Sequence, residues 1–189
     1  QTYLEVENVV AIANIDTRQL TRQLRTLGAQ NGCILALEAG EVITTALVDK
    51  AIATAKAAPS MSGLDLAKVV SATETTQWTE AEWTLGKGYG QQTAPRFHVV
   101  AYDFGVKNNI LRMLAERGCK VTLVPAQTPA AEVLKHQPDG IFLSNGPGAP
   151  QPCDYAIKAT AELIETGIPT FGICLGHQLL ALAHDIPTF

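Results

Sequence analysis

The stretch Ile168-Pro-Thr-Phe-Gly-Ile-Cys-Leu-Gly-His177 decides how this chain is read. Ile168–Ile173 is short, apolar and bounded by Gly167 and Pro169, which suits a buried strand. Leu175–Ala183 is rich in Leu and Ala and reads as a helix. Gly172 and Gly176 sit two residues either side of Cys174, so the backbone can turn sharply where strand becomes helix. This is the pattern of a nucleophile elbow with cysteine in place of serine. Such a corner projects the sulfur from the C-terminal edge of a sheet, at a helix N-terminus. There the helix dipole favours the thiolate, which is the nucleophilic form. An isolated cysteine is ordinarily buried and inert. The paired glycines and the strand–helix context favour the nucleophile.

Outward from this corner the second half of the chain keeps one rhythm. Apolar runs at Phe97–Asp103, Lys120–Pro125, Gly140–Asn145 and Pro169–Cys174 alternate with helical segments. Val106, Ile110, Met113 and Leu114 recur at helical spacing in the first helix, Pro129–Gln137 forms a short second one, and Ala156, Thr160, Leu163 and Ile164 stripe the third. Repeated βα units with near-continuous apolar strands predict an α/β fold, a parallel sheet with helices on both faces. Ligands of such sheets sit beyond the carboxyl ends of the strands, where Cys174 and the loop after Leu143 both lie.

Residues 1–95 lack this regularity and predict a smaller α/β domain ahead of 96–189. Asp16 caps a helix with Leu20, Leu24 and Leu27 on one face and Gly28 at its end. Asn31-Gly32 leads into a predicted strand, Cys33–Leu37, and Glu41–Ala57 reads as an Ala-rich helix. The run Gly86-Lys-Gly-Tyr-Gly90, followed by Gln91-Gln-Thr-Ala-Pro95, reads as a linker and sets the boundary.

Composition excludes several functions. The 189 residues carry a formal net charge of -4 and no basic run, which argues against nucleic acid as a partner. No apolar stretch reaches the ~20 residues of a membrane span. Cys33, Cys119, Cys153 and Cys174 are widely spaced, which suits a reducing compartment better than a disulfide framework and gives no metal-ligand spacing. No G-x-x-x-x-G-K-S/T occurs, so nothing here predicts nucleotide binding by this chain.

A second element joins the cysteine. Leu143-Ser-Asn-Gly-Pro-Gly-Ala-Pro150 leaves a buried strand at the same sheet edge. Tight turns are built of the same residues, but glycines there also let backbone N–H groups approach a ligand. Acyl transfer needs donors aimed at a developing oxyanion. Leu175 N–H, immediately after the nucleophile, can supply one, and a glycine of 146–148 another. A general base must come within ~3 Å of the sulfur. His177 lies on the elbow helix pointing away from the corner, and His98, His136 and His184 lie elsewhere, so no base is evident.

With these motifs in view, Gly172-Ile-Cys-Leu-Gly-His-Gln178 together with Asn145-Gly-Pro-Gly148 resembles the class I glutamine amidotransferases, whose fold is flavodoxin-like. Asp16-Thr-Arg-Gln-Leu-Thr-Arg22, Gly28-Ala-Gln-Asn-Gly32, Ala101-Tyr-Asp-Phe-Gly-Val-Lys-Asn-Asn-Ile-Leu-Arg112 and Pro152-Cys-Asp-Tyr-Ala156 narrow the resemblance to the small, glutamine-hydrolysing subunits of carbamoyl-phosphate synthases. The resemblance runs from near Asn8 to about Ala183. It implies that Cys174 forms a glutamyl thioester, that Gly146 and Leu175 give the oxyanion N–H groups, and that Gly148 and Gln178 hold L-glutamine. It implies a cytoplasmic protein that passes ammonia to a large synthetase subunit, where ATP and Mg serve carbamoyl phosphate synthesis for arginine and pyrimidine production; no cofactor is expected in this chain. Residues 1–95 would be part of the small subunit's own N-terminal domain, and 96–189 a truncated amidotransferase domain. The family's catalytic His and Glu lie well beyond the cysteine, so the chain reads as a piece of a longer protein that is nearly inactive by itself. Ala149 stands where the family pattern has Asp, and the tail His184–Phe189 departs from it; its Ile186-Pro-Thr-Phe189 repeats Ile168-Pro-Thr-Phe171. The alternatives are the glutaminase of another amidotransferase, or a non-catalytic docking module.

Overall fold

A computed structural model describes residues 2–38, 40–61 and 63–188. The chain divides into two compact units, residues 1–60 and 61–189. In the first, helices α1 (Thr2–Val6), α2 (Thr17–Leu27) and α3 (Thr45–Ala57) are joined by irregular backbone. Asp16 caps α2 by accepting the Gln19 N–H at 2.9 Å, as its sequence position predicts. Helix α3 starts at Thr45 rather than Glu41, because Thr44 takes the N-cap and accepts from Leu47 N–H. The apolar run Cys33–Leu37 is not a strand. No described residue of this unit is buried.

The second unit begins with the short helix α4 (Ala67–Val70) and strand β1 (Thr76–Trp78), followed by β2 (Glu80–Thr84) and β3 (Gly88–Gln91). From there strand and helix alternate: β4 (Phe97–Asp103), α5 (Asn108–Glu116), β5 (Cys119–Pro125), α6 (Ala130–Lys135), β6 (Gly140–Leu143), α7 (Asp154–Ile164), β7 (Thr170–Gly172) and α8 (Leu175–Ala183). Strands β5, β4, β6 and β7 form the expected parallel sheet, in that order. Strand β1 adds an antiparallel edge on β5, pairing Thr76 with Leu123 and Trp78 with Val121. The glycine run 86–90 is the turn and second strand of a β2–β3 hairpin rather than a linker, with Trp83 opposite Tyr89. Arg112 on α5 holds that hairpin, 2.6 Å from Glu80 and 4.1 Å over the Tyr89 ring.

Alternation along β4 divides the core between the two faces of the sheet. Val100 and Tyr102 join Val124, Leu143, Ala156, Leu163, Leu175 and Leu179 beneath α6, α7 and α8. Ala101 points the other way, with Val121, Phe142 and Leu111 of α5. A sheet covered on both faces needs strands that are apolar on both, and β4 and β5 are. Among the described residues β7 is the outer edge strand, paired with β6, and Phe171 is 65% exposed.

Candidate active site

Strands β6 and β7 run parallel and in register, Leu143 opposite Gly172, so their C-terminal ends release two loops side by side. The β7 loop is a single corner. Cys174 caps α8 with φ 53° and ψ -113°, a conformation an L-residue adopts only at a cost of about 1–3 kcal/mol. Its side chain is exposed. Both glycines of the motif are required by contact. A Cβ on Gly172 would come within 2.5 Å of the Gly176 backbone, and one on Gly176 would collide with the Leu143 carbonyl. Strand, corner and helix therefore approach as closely as the backbone permits.

The other loop, 144–153, is fastened to this corner and to the loop after β4. Gly176 N–H donates to the Ser144 carbonyl at 3.0 Å, and Ile173 N–H to the Leu143 carbonyl at 3.0 Å. Ser144 is buried; its Oγ accepts the Phe104 N–H at 2.9 Å and donates to the Asn145 carbonyl at 2.8 Å. Asn145 clamps the β4 loop from both sides, donating to the Gly105 carbonyl at 2.9 Å and accepting Lys107 N–H at 3.1 Å. Asp103, also buried, accepts N–H groups from Gly105, Val106 and Ala72 at 2.8–2.9 Å. Buried Ser144 and Asp103 and half-buried Asn145 all have partners, so the loop carrying Gly146 is tied to the loop after β4.

Each residue singled out in the sequence has a definite place. Gly146 lies against Leu175: a Cβ there would meet the Leu175 Cδ2 at 2.9 Å and the Phe104 carbonyl closer still. Neither Gly146 N–H nor Leu175 N–H is spent on a backbone acceptor in the turns and loops of the described residues. Gly148 has φ 88° and faces the Leu64 carbonyl. Gln178 stands one turn into α8, its N–H on the Cys174 carbonyl at 3.0 Å. His177 and His184 are exposed. Among the described residues no cluster of three metal-ligating side chains exists, and no helix is long and apolar enough to cross a membrane. The sequence reading passed over Ser144, Asn145 and Asp103 as site residues; a polar residue closing each apolar strand was the available signal.

The second unit is thus a parallel sheet covered on both faces, with an exposed cysteine at a strained strand–helix corner and a glycine loop released beside it. Residues 100–188 match the family model "Glutamine amidotransferase class-I", and residues 1–34 match "Carbamoyl-phosphate synthase small chain, CPSase domain". The first match extends through most of the repeated tail. The chain is 65% identical over 187 residues to the carbamoyl phosphate synthase small chain of Rubrivivax gelatinosus, covering 99% of this chain and 49% of that protein. It is 65% identical over 181 residues to the small chain of Ralstonia nicotianae (96% and 46%) and 62% over 187 residues to that of Thioalkalivibrio sulfidiphilus (98% and 48%). The chain belongs to the carbamoyl phosphate synthase small chain family. It spans about half the length of the curated relatives it matches.

Proposed function

We propose that the protein from which these residues come is the cytoplasmic glutaminase subunit of a carbamoyl-phosphate synthase. The Cys174 thiolate attacks the amide carbon of L-glutamine, forming the C–S bond while the carbonyl oxygen becomes an oxyanion. Gly146 and Leu175 N–H groups receive that oxyanion. Collapse breaks the C–N bond and releases ammonia, and water then cleaves the thioester to glutamate. Gly148 and Gln178 hold the substrate. Proton transfer falls to the family's His–Glu pair, outside these residues. Ammonia passes to a large synthetase subunit, which uses ATP and Mg with bicarbonate to make carbamoyl phosphate. Residues 1–95 belong to the small subunit's N-terminal domain, and 96–189 to its amidotransferase domain.

The observation that carries this reading is the exposed Cys174 at φ 53°, whose next residue, Leu175, packs against Gly146. A strained backbone at a reactive side chain is retained where surrounding packing over-determines it, and here two glycine contacts do so. The test is the full-length protein with its synthetase partner. Cys174→Ser should abolish carbamoyl phosphate formation from glutamine while formation from added ammonia persists. Equal loss with both nitrogen sources, or none with glutamine, would refute the role of Cys174.

A further inference from the structure

Residues 64–72 run across the C-terminal edge of the sheet and touch the loops that build the site. At one end, a Cβ on Gly148 would meet the Leu64 carbonyl at 2.9 Å and the Leu66 side chain at 3.4 Å. In the middle, Ala67 is fully buried in the same cluster as Phe104, Cys153 and Leu175. At the far end, Ala72 N–H donates to Asp103 and Ser71 Oγ accepts the Ala126 N–H, each at 2.8 Å. This strap would be a passive cover but for Asp65.

The Asp65 side chain is only 10% exposed. Its Oδ1 accepts the Tyr155 hydroxyl at 3.2 Å, the Cys153 thiol at 3.6 Å and the Lys68 N–H at 3.3 Å. The Lys68 ammonium lies 3.7 Å from Oδ2. Cys153 and Tyr155 stand where the 144–153 loop enters α7, and Cys153 Sγ also reaches the Ala149 carbonyl at 3.8 Å. One carboxylate oxygen thus gathers the strap and the downstream end of the glycine loop. Asn145 already secures the upstream end.

We propose that Asp65 is a positioning residue for the glutamine site, pinning the 144–153 loop so that Gly146 and Gly148 meet the substrate in register. This rests on the glutaminase reading above. Removing the carboxylate leaves the Tyr155 hydroxyl and the Cys153 thiol without their shared acceptor, and the loop is then fixed at one end only. Asparagine keeps an acceptor oxygen at the same place. The sulfur of Cys174 is held separately, by the corner and its glycines, so its intrinsic reactivity does not depend on Asp65.

That separation supplies the test, in full-length protein with its partner. Kinetics of glutamine hydrolysis are compared with alkylation of Cys174 by a glutamine-shaped chloromethyl ketone and by iodoacetamide. Asp65→Ala should raise KM for glutamine and slow the glutamine-shaped reagent by about tenfold or more, with iodoacetamide labelling unchanged. Asp65→Asn should restore most of the loss. Unchanged KM in Asp65→Ala overturns the proposal; so does equal slowing of both reagents without rescue by Asp65→Asn. Should Asp65→Ala fail to fold, Tyr155→Phe decides: a KM raised about fivefold supports the pin, and a wild-type KM overturns it. If wild-type Cys174 shows no preference for the glutamine-shaped reagent, the glutaminase reading itself has failed, a distinct result from a wild-type preference that ignores Asp65.

Discussion

Cys153 and Cys174 occupy matching places in successive βα units, each the N-cap of a helix leaving the same edge of the sheet. They could hardly differ more. Cys153 has φ -88°, is fully buried and gives its thiol to Asp65. Burial first, and then the Asp65 charge, push its pKa up to about 11. Cys174 is exposed at φ 53°, with glycines two residues to either side. A helix N-terminus therefore does not make a nucleophile. Desolvation and a neighbouring carboxylate outweigh the dipole at Cys153, and both act to keep the thiol neutral. Of the two, it is the sulfur at the corner that stands open to solvent.

The largest test of this contrast is substitution of each cysteine. In the full-length protein, Cys174→Ser should reduce glutamine hydrolysis by on the order of 10^4-fold or more. Cys153→Ala should instead cost stability, about 1–3 kcal/mol in denaturant titration, since it empties a buried site and removes one of the donors to Asp65. The corner itself can be broken next. Gly176→Ala forces a side chain into the Leu143 carbonyl and should destabilise by about 3 kcal/mol, whereas Gly167→Ala, with open space around it but φ 73°, should cost about 1 kcal/mol. Chemical denaturation of the two variants side by side measures the difference.

A smaller effect is expected where the two loops are tied. Asn145→Ala removes one donor and one acceptor to the β4 loop and should cost about 1–2 kcal/mol, read as a lowered midpoint of thermal unfolding. The smallest is a pH effect on Cys153. Its thiol titrates near 9 when unfolded and about 11 when folded, so the unfolded chain releases the proton first. The stabilisation is fully present below pH 9 and is lost as pH rises toward 11. Tyr102 and Tyr155, raised from 10 chiefly by burial, act in the same direction. Cys119, also raised from 9 by burial, adds to the loss over the same range. Cys153→Ala should therefore make the fall in stability above about pH 9 shallower, measured by unfolding across that range.

What the sequence disclosed follows from the range of the forces concerned. Strand β4 and helix α8 have the bounds their patterns predict, because continuous apolar runs and a glycine-flanked corner are local requirements. The elbow is legible for the same reason: Gly172 and Gly176 are dictated by contacts within a few residues of Cys174, together with adjacent Leu143. Strand β1 and the β2–β3 hairpin were not legible. Thr76–Trp78 is polar and short, and becomes a strand by pairing with Val121–Leu123 far along the chain. The hairpin is held by Arg112, which also lies well along the chain, so Gly86–Gly90 has the local pattern of a linker. Cys33–Leu37 shows the converse, β-rich residues that form no strand, since a strand needs a partner. Ser144, Asn145, Asp103 and Asp65 escaped because each bonds to backbone or side chains 31 or more residues away, brought near only by folding.

The most direct test of the central claim is to trap the covalent intermediate. Full-length protein with its synthetase partner is quenched in acid during turnover of glutamine, and the adduct is located by peptide mass spectrometry. The account predicts a glutamyl group on Cys174 and on no other cysteine. Sustained glutamine hydrolysis with the adduct on Cys153, Cys33 or Cys119, or with Cys174 unmodified throughout, would contradict it.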